Sequence, residues 1–270
     1  MVSTAKKVKL TFVLGTDLRT GRGTENTTLN YIKYAPSKFE VRVLETDFLP
    51  EQRISDTKIS SLTKHVKILK MHVKRDKFTK ILLFSTFKPL VLIRRLFLDP
   101  KLPVTDIKKL KSQQPELYKI VRDTDVAYLV ANEYAPLFEG LDIPVIGSNH
   151  CWEPSWFFGE RPTMKERLIR RANLKFFRYI NGFHFFPRNR IYINKMKRRY
   201  NVTLPNGIDV KRFRPTTKKH KRIRFLFVAN LSRRKGLKTV LDAWDLINDK
   251  TNAELHIAGS GPTCQRASTG

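Results

Sequence analysis

The first fifty residues read as a strand, a glycine-bearing loop, a helix and a second strand. Val8 to Leu14 is a compact run rich in β-forming residues, and the loop after it leads into a helical pattern in which Leu29, Ile32 and Ala35 are spaced by three. Phe39 to Thr46 then alternates apolar and polar residues, as a strand does. Because a strand–helix–strand unit closes with a right-handed crossover, this opening predicts an α/β fold with a Rossmann-like beginning.

Further segments continue the α/β alternation. Asp125 to Ala131 and Ile143 to Ser148 read as buried parallel strands, and Gly182 to Pro187 reads as another strand. Later in the chain, Arg224 to Ala229 and Ala253 to Ala258 read as strands on either side of an amphipathic helix. The two series predict two Rossmann-like domains, the first complete and the second incomplete.

A linker separates the two series. Residues 202–222 (VTLPNGIDVKRFRPTTKKHKR) carry Pro, Asn-Gly and a run of Lys and Arg, which together are typical of a connection between domains. We therefore predict an N-terminal, acceptor-side domain over residues 1–204. The beginning of a nucleotide-sugar-binding domain would then occupy residues 205–270, an assignment that depends on the family resemblance given below.

The charge of the chain is extreme, with 53 Lys and Arg against 24 Asp and Glu and a net charge of +29. A protein with so positive a charge is expected to bind anionic partners, namely lipid headgroups, nucleic acid or phosphorylated substrates. Lys58 to Lys77 contributes strongly, since its apolar residues fall at helical spacing among lysines and predict a basic amphipathic helix. That helix would either dock on an anionic membrane or face the core with its lysines in water.

The cysteines and the apolar runs bear on location. Cys151 and Cys264 are far apart and lack a C-x-x-C or His-rich context, so they indicate neither a disulfide framework nor a zinc site. The N-terminus lacks the cleavage pattern of a signal peptide. The longest apolar run, Ile81 to Ile93, falls short of the ~20 residues that cross a bilayer. We expect a cytoplasmic protein that can bind peripherally to the cytoplasmic face of the membrane.

Three motifs stand in order in the C-terminal part, with the predicted elements between them. They are LPNGID at residues 204–209 with Phe213 and Pro215, VANLSRRKG at residues 228–236, and AGSGP at residues 258–262. This order resembles the family-four glycosyltransferases of GT-B fold, whose patterns read PNGxD…F.P, VGRLxxxKG and xGxGP. More weakly, RGTE at residues 22–25 is similar to the family's GGxE, and Ser148-Asn149-His150 to its histidine-bearing strand end.

The resemblance implies a retaining transfer of a sugar from a nucleotide-sugar donor to an acceptor hydroxyl, on a glycan or a lipid-linked acceptor, without metal or other cofactor. Lys235 matches the lysine that binds the donor diphosphate, and His150 matches the histidine that contacts the donor sugar. Gly23 and Gly259 match the glycine loops, where backbone amides approach phosphate. Arg233 is the candidate to replace the arginine of the family pattern, where this chain has Asn230.

Each of these residues also has a structural reading. Lys235 could be a solvated lysine, His150 a histidine satisfied within the fold, and the glycines could serve tight turns. Glu25, the acid of the GGxE-like motif, could orient the loop after the first strand or cap the helix. The motifs together favour the functional reading for Lys235.

Two further expectations follow. Nothing after Pro262 resembles the rest of the donor-binding domain, including its E-x7-E segment, so we expect a second domain with uncovered apolar faces and a chain with impaired activity. The alternatives to a glycosyltransferase are a basic nucleic-acid-binding protein, for which no recognition motif is present, and a non-catalytic partner protein.

Overall fold

The computed structural model describes residues 6–18, 23–46, 66–71, 104–148, 174–187, 189, 196–211, 213–215, 221–229, 231, 235–247 and 252–261. Contacts within the chain divide it into two compact units, Met1–Ile208 and Asp209–Gly270. Within the described residues both units are α/β, which confirms the predicted fold class.

The first unit is built on a parallel sheet of seven described strands. Their bounds are β1 Val8–Val13, β2 Phe39–Thr46, β3 Lys67–Met71, β4 Val126–Leu129, β5 Val145–Ser148, β6 Gly182–Phe185 and β7 Val202–Thr203. The strand order is β3-β2-β1-β4-β5-β6-β7, and every neighbouring pair is parallel. The order reverses between β1 and β4, as in doubly wound sheets.

Helices cover both faces of this sheet. They are α1 Gly23–Lys33, α2 Val104–Gln113, α3 Pro115–Arg122, a 3₁₀ helix Asn132–Phe138 and a helical turn at residues 174–177. Helix α1 packs Leu29 and Ile32 on one face, where Phe12 is buried. The opposite face carries the larger core, in which α2, α3 and the 3₁₀ helix meet the buried side chains of β4 and β6.

One prediction was wrong within the described residues. Lys67–Met71, the middle of the predicted basic amphipathic helix, is strand β3 and pairs in parallel with β2. Ile68 packs on the face that carries α1, whereas Leu69 and Met71 pack on the other face. Apolar residues spaced by three or four fit a helix, but here burial on both faces of the sheet prevails over that spacing. The remainder of Lys58 to Lys77, and Ile81 to Ile93, lie outside the described residues.

The second unit contains two parallel strands, β8 Ile223–Val228 and β9 Ala253–Ala258, and helix α4 Leu237–Asp245. The helix packs against β8, where the ring centroids of Phe225 and Trp244 lie 6.1 Å apart. Leu226 and Val228 remain 67% exposed, although strands of parallel sheets are usually buried on both faces.

Among the residues that the structure describes, none belongs to a helix that is long and apolar enough to span a membrane.

Candidate functional site

The carboxyl edge of the seven-stranded sheet opens at the reversal of strand order. The chain leaves β1 toward α1 on one face and leaves β4 toward the 3₁₀ helix on the other, so the two connections diverge, as they do where doubly wound sheets bind ligands. The packing at this edge is tight, because a Cβ placed on Gly15 would lie 3.2 Å from the Cβ of Ala131 and 3.8 Å from Oε1 of Glu133. A ligand that binds this unit at its switch point would meet these loops first.

Two buried carboxylates hold the loop after β1. Glu25, in the first turn of α1, is 3% exposed, and its Oε1 accepts a hydrogen bond from Oγ1 of Thr16. Its other oxygen, Oε2, has no hydrogen-bond partner among the described residues. On the neighbouring strand, Oε2 of Glu45 accepts a hydrogen bond of 3.0 Å from the backbone N–H of Leu18. Of the two readings of Glu25, the structure supports orientation of the loop.

An asparagine fixes the end of β5. Nδ2 of Asn132, at the start of the 3₁₀ helix, donates a 2.9 Å hydrogen bond to the carbonyl oxygen of Ser148. The Oδ1 atom of Asn132 is buried without a hydrogen-bond partner in the described part of the chain. Ser148 is the last described residue before the motif histidine, so His150 lies just outside the described residues.

In the second unit, the loops after β8 and β9 run side by side. The N–H of Ala229 donates to the carbonyl oxygen of Ala258 at 3.2 Å, and the N–H of Leu231 donates to that of Ser260 at 2.8 Å. Gly259 sits at the closest approach, since a Cβ on it would lie 1.9 Å from the carbonyl oxygen of Ala229. The VANLSRRKG and AGSGP motifs therefore form one paired structure at the carboxyl ends of their strands.

Lys235 stands at the exit of the same loop. It is exposed and directly precedes Gly236, which adopts φ +79° as the N-cap of α4. No described residue forms a hydrogen bond or ion pair with its ammonium group. Lys238, one turn further on, is by contrast paired with Asp242 at 2.7 Å. A cation at a helix N-terminus opposes the helix dipole, so Lys235 is positioned to gain from a nearby anion.

A polar aromatic network on the α1 face of the first unit was not predicted. Oη of Tyr128 and Nδ1 of His184 lie 2.6 Å apart, and Nε2 of His184 lies 2.9 Å from the carbonyl oxygen of Leu204. Tyr31 donates from its hydroxyl to Oδ1 of Asn206 at 3.1 Å. The rings of Tyr31 and Tyr128 meet edge to face with centroids 5.9 Å apart. The strands holding these residues were predicted, but the contact across β5 was not.

Burial keeps this network neutral. Desolvation lowers the pKa of His184, although the hydrogen bond with Leu204 acts in the opposite direction. Desolvation also raises the pKa of the Tyr128 hydroxyl and that of the Tyr31 hydroxyl. Near neutral pH both tyrosines therefore keep their hydroxyl protons, and the histidine is an uncharged imidazole.

The predicted site residues divide between the two units. Gly23 begins α1 in the first unit and is exposed, with no atom within 4 Å of a Cβ placed on it. Lys235 and Gly259 belong to the second unit, where Gly259 lies at the closest approach of the paired loops and Lys235 follows the loop after β8. His150 and Arg233 lie outside the described residues. Within those residues, no group of three or more His, Cys, Asp or Glu side chains could hold a metal ion.

Comparison with known proteins finds a family-model match in the second unit. Residues 209–269 match the family model of Glycosyl transferases group 1. No protein among the curated sequences matches the chain.

Solved structures match over both units. S. aureus TarM, in complex with Fondaparinux, alpha-GlcNAc-glycerol and UDP, gives a TM-score of 0.59 at 12% identity, over 97% of this chain and 74% of that chain. The E. coli protein described as trehalose-6-phosphate, bound with UDP-2-fluoro glucose, gives 0.55 at 10% identity, over 94% and 65%. The lipopolysaccharide outer core galactosyltransferase WaaB gives 0.51 at 14% identity, over 97% and 63%.

These identities are low, so the structural matches bear on the fold, while the family model bears on the second unit. Together they confirm the resemblance drawn from the three motifs. The fold of this chain is that of the GT-B glycosyltransferases, and its residues 209–269 match the family model of Glycosyl transferases group 1.

Proposed function

We propose that this protein transfers a sugar from a nucleotide-sugar donor to an acceptor hydroxyl, with retention of configuration at the anomeric carbon. The observation that carries the proposal is the pair of loops after β8 and β9, followed by Lys235, whose ammonium group has no partner among the described residues. A departing nucleoside diphosphate gathers negative charge, and preorganised amides and cations stabilise such a charge where it develops. The group 1 family match covers these loops.

Lys235 is proposed to bind the donor diphosphate as a charged hydrogen-bond donor. Arg233, in the same loop sequence, is proposed to supply the second cation that the family pattern places two positions after its valine. Gly259 serves the site by keeping the loops close, and Gly23 leaves room for phosphate at the first turn of α1. His150 is proposed to contact the donor sugar. These roles come from the motif matches, to which the geometry of Lys235 and Gly259 adds support.

UDP is the probe of choice, since TarM was solved with it. We expect Lys235→Ala to weaken UDP binding in calorimetry about tenfold or more, because a hydrogen bond to a charged group is worth about 1.5–3 kcal/mol. Lys238→Ala is the matched control, because Lys238 is an exposed lysine in the first turn of α4 that is already ion-paired. Equal UDP affinity in wild type and Lys235→Ala would refute the role of Lys235.

Two additions to this measurement test the rest of the donor site. A variant with both Arg233→Ala and Arg234→Ala should also bind UDP more weakly, and retained affinity would exclude these arginines. We propose that the site works without a metal ion, so EDTA should leave UDP binding unchanged. If wild type binds no nucleoside diphosphate, the proposed function itself fails.

The acceptor is proposed to be a glycan or a lipid-linked molecule, reached from an anionic membrane surface. The support for this is the net charge of +29, because each Lys or Arg near such a surface contributes about 1 kcal/mol. Co-sedimentation with vesicles of anionic lipids should exceed that with neutral vesicles. Equal binding to both would refute membrane association and leave the donor site untouched.

A further inference from the structure

The connection between the two units starts from a segment that is tied to β6. The N–H of Leu204 donates to the carbonyl oxygen of Phe185 at 3.1 Å, which continues the pairing of β7 with β6. Closer to the start of the segment, the carbonyl oxygen of Tyr200 would lie 2.3 Å from a Cβ on Gly182, so the two backbones touch. The segment, which includes β7, thus lies along β6 up to Leu204.

The hydrogen-bond directions in the network follow from its last acceptor. The carbonyl oxygen of Leu204 can only accept, so Nε2 of His184 carries the proton and donates to it. A neutral imidazole has a single N–H, which leaves Nδ1 as the acceptor for the hydroxyl of Tyr128. The tautomer of His184 is therefore set by Leu204 on one side and Tyr128 on the other.

A second bond holds the segment two residues further on. Tyr31 lies in α1, on the other side of the Tyr128 ring, and its hydroxyl donates to the side chain of Asn206. The PNG sequence is thus bonded on both sides of Pro205, once through a backbone carbonyl and once through a side chain. Gly207 follows, and no atom lies within 4 Å of a Cβ placed there. Beyond it, Ile208 is 65% exposed.

We propose that Tyr31, Tyr128 and His184 are positioning residues that clamp Leu204 and Asn206 to the body of the first unit, just before the chain passes to the second unit. The proposal rests on the proposed function, in which the donor and acceptor groups must be held in a defined geometry. A connection that starts from a fixed point on the first unit serves that requirement. In this reading the asparagine of the PNG sequence, Asn206, binds a side chain of the same protein, Tyr31.

Two isosteres of His184 test the clamp. In His184→Gln the side-chain amide nitrogen takes the place of Nε2 and retains the donor to Leu204. In His184→Asn the amide nitrogen takes the place of Nδ1, and that donor is lost. Amide hydrogen exchange of Leu204 should be about fivefold faster in His184→Asn, which corresponds to one hydrogen bond of about 1 kcal/mol. His184→Gln should stay close to wild type.

Controls separate the clamp from general unfolding and from donor binding. The N–H of Val130 donates to the carbonyl oxygen of Val13 at 2.9 Å in the centre of the sheet, so its exchange should stay unchanged in both variants. Tyr31→Phe should accelerate Leu204 exchange by a smaller factor, since this bond is solvent-exposed. UDP affinity should be the same in these variants as in wild type. Failure of the wild-type protein to bind UDP would count against the proposed function alone. Equal Leu204 exchange in the Asn and Gln variants would overturn the clamp.

Discussion

Gly259→Ala offers a direct test of how the two loops of the second unit are held together. The added methyl carbon would lie 1.9 Å from the carbonyl oxygen of Ala229, at a backbone φ of +149° that side chains rarely adopt. Ordinary contact requires about 3.5 Å, so the loops must separate by roughly 1.5 Å. Such a shift breaks the bond between Leu231 and Ser260, which measures 2.8 Å in the native structure.

The cost can be worked from these contacts. Two backbone hydrogen bonds join the loops, and each contributes about 1 kcal/mol. The unfavourable φ adds about 1–2 kcal/mol for a residue with a side chain. The stability of the paired loops should therefore fall by about 3–4 kcal/mol, which corresponds to more than a hundredfold faster opening. The N–H of Leu231, a buried residue, reports this opening.

Amide hydrogen exchange of Leu231 is the assay, with Gly207→Ala as the matched control. A methyl group at Gly207 meets no atom within 4 Å, so this variant should exchange Leu231 at the wild-type rate. If Gly259→Ala also exchanges Leu231 at the wild-type rate, the loops can separate at no cost and their close pairing does not depend on glycine.

Two more predictions concern the first unit. Asp123→Asn should lower the free energy of unfolding by about 1 kcal/mol in urea titrations, an allowance for its half-exposed carboxylate, because the buried guanidinium of Arg42 loses an ionic partner at 2.8 Å. Hydrogen bonds from Lys9 and Arg42 lower the pKa of Asp123 to about 2, so its contribution is complete above about pH 4 and fades as the pH falls toward 2, a decline that Asp123→Asn should remove. Gly23→Ala should leave the free energy of unfolding unchanged or raise it by up to about 1 kcal/mol, since no atom meets the new methyl, yet it should weaken UDP binding; unchanged UDP binding would make Gly23 an ordinary helix start.

Local patterns predicted most of the strands and failed where burial is decided by distant parts of the chain. The alternation in Phe39 to Thr46 and the apolar run at Ile223 to Val228 are strand signals that need no neighbour. Lys67–Met71 carries apolar residues at a spacing compatible with a helix, and only the edge of β2 makes it a strand. A segment whose partner strand lies 25 residues earlier in the chain cannot be assigned from its own periodicity.

The candidate site divides along the same line. Lys235 and Gly259 could be identified as candidates because their motifs are contiguous in sequence and lie between elements of clear type. The partners of His184 could not, since Tyr128 and Leu204 reach it from other strands, and no spacing in the sequence encodes a contact across β5. The LPNGID motif itself was found, but its attachment to Tyr31 required the fold.

The glycines of the motifs differ in whether the packing of the chain itself requires them. Gly259 and Gly261 approach the carbonyl oxygens of Ala229 and Leu231 so closely that no other residue fits, so the paired loops explain both glycines before any donor binds. Gly23 has open space around it, and nothing in the described chain demands a glycine there. A ligand is consequently the more economical reason for glycine at position 23 than at position 259, where the same residue type serves the architecture that presents Lys235.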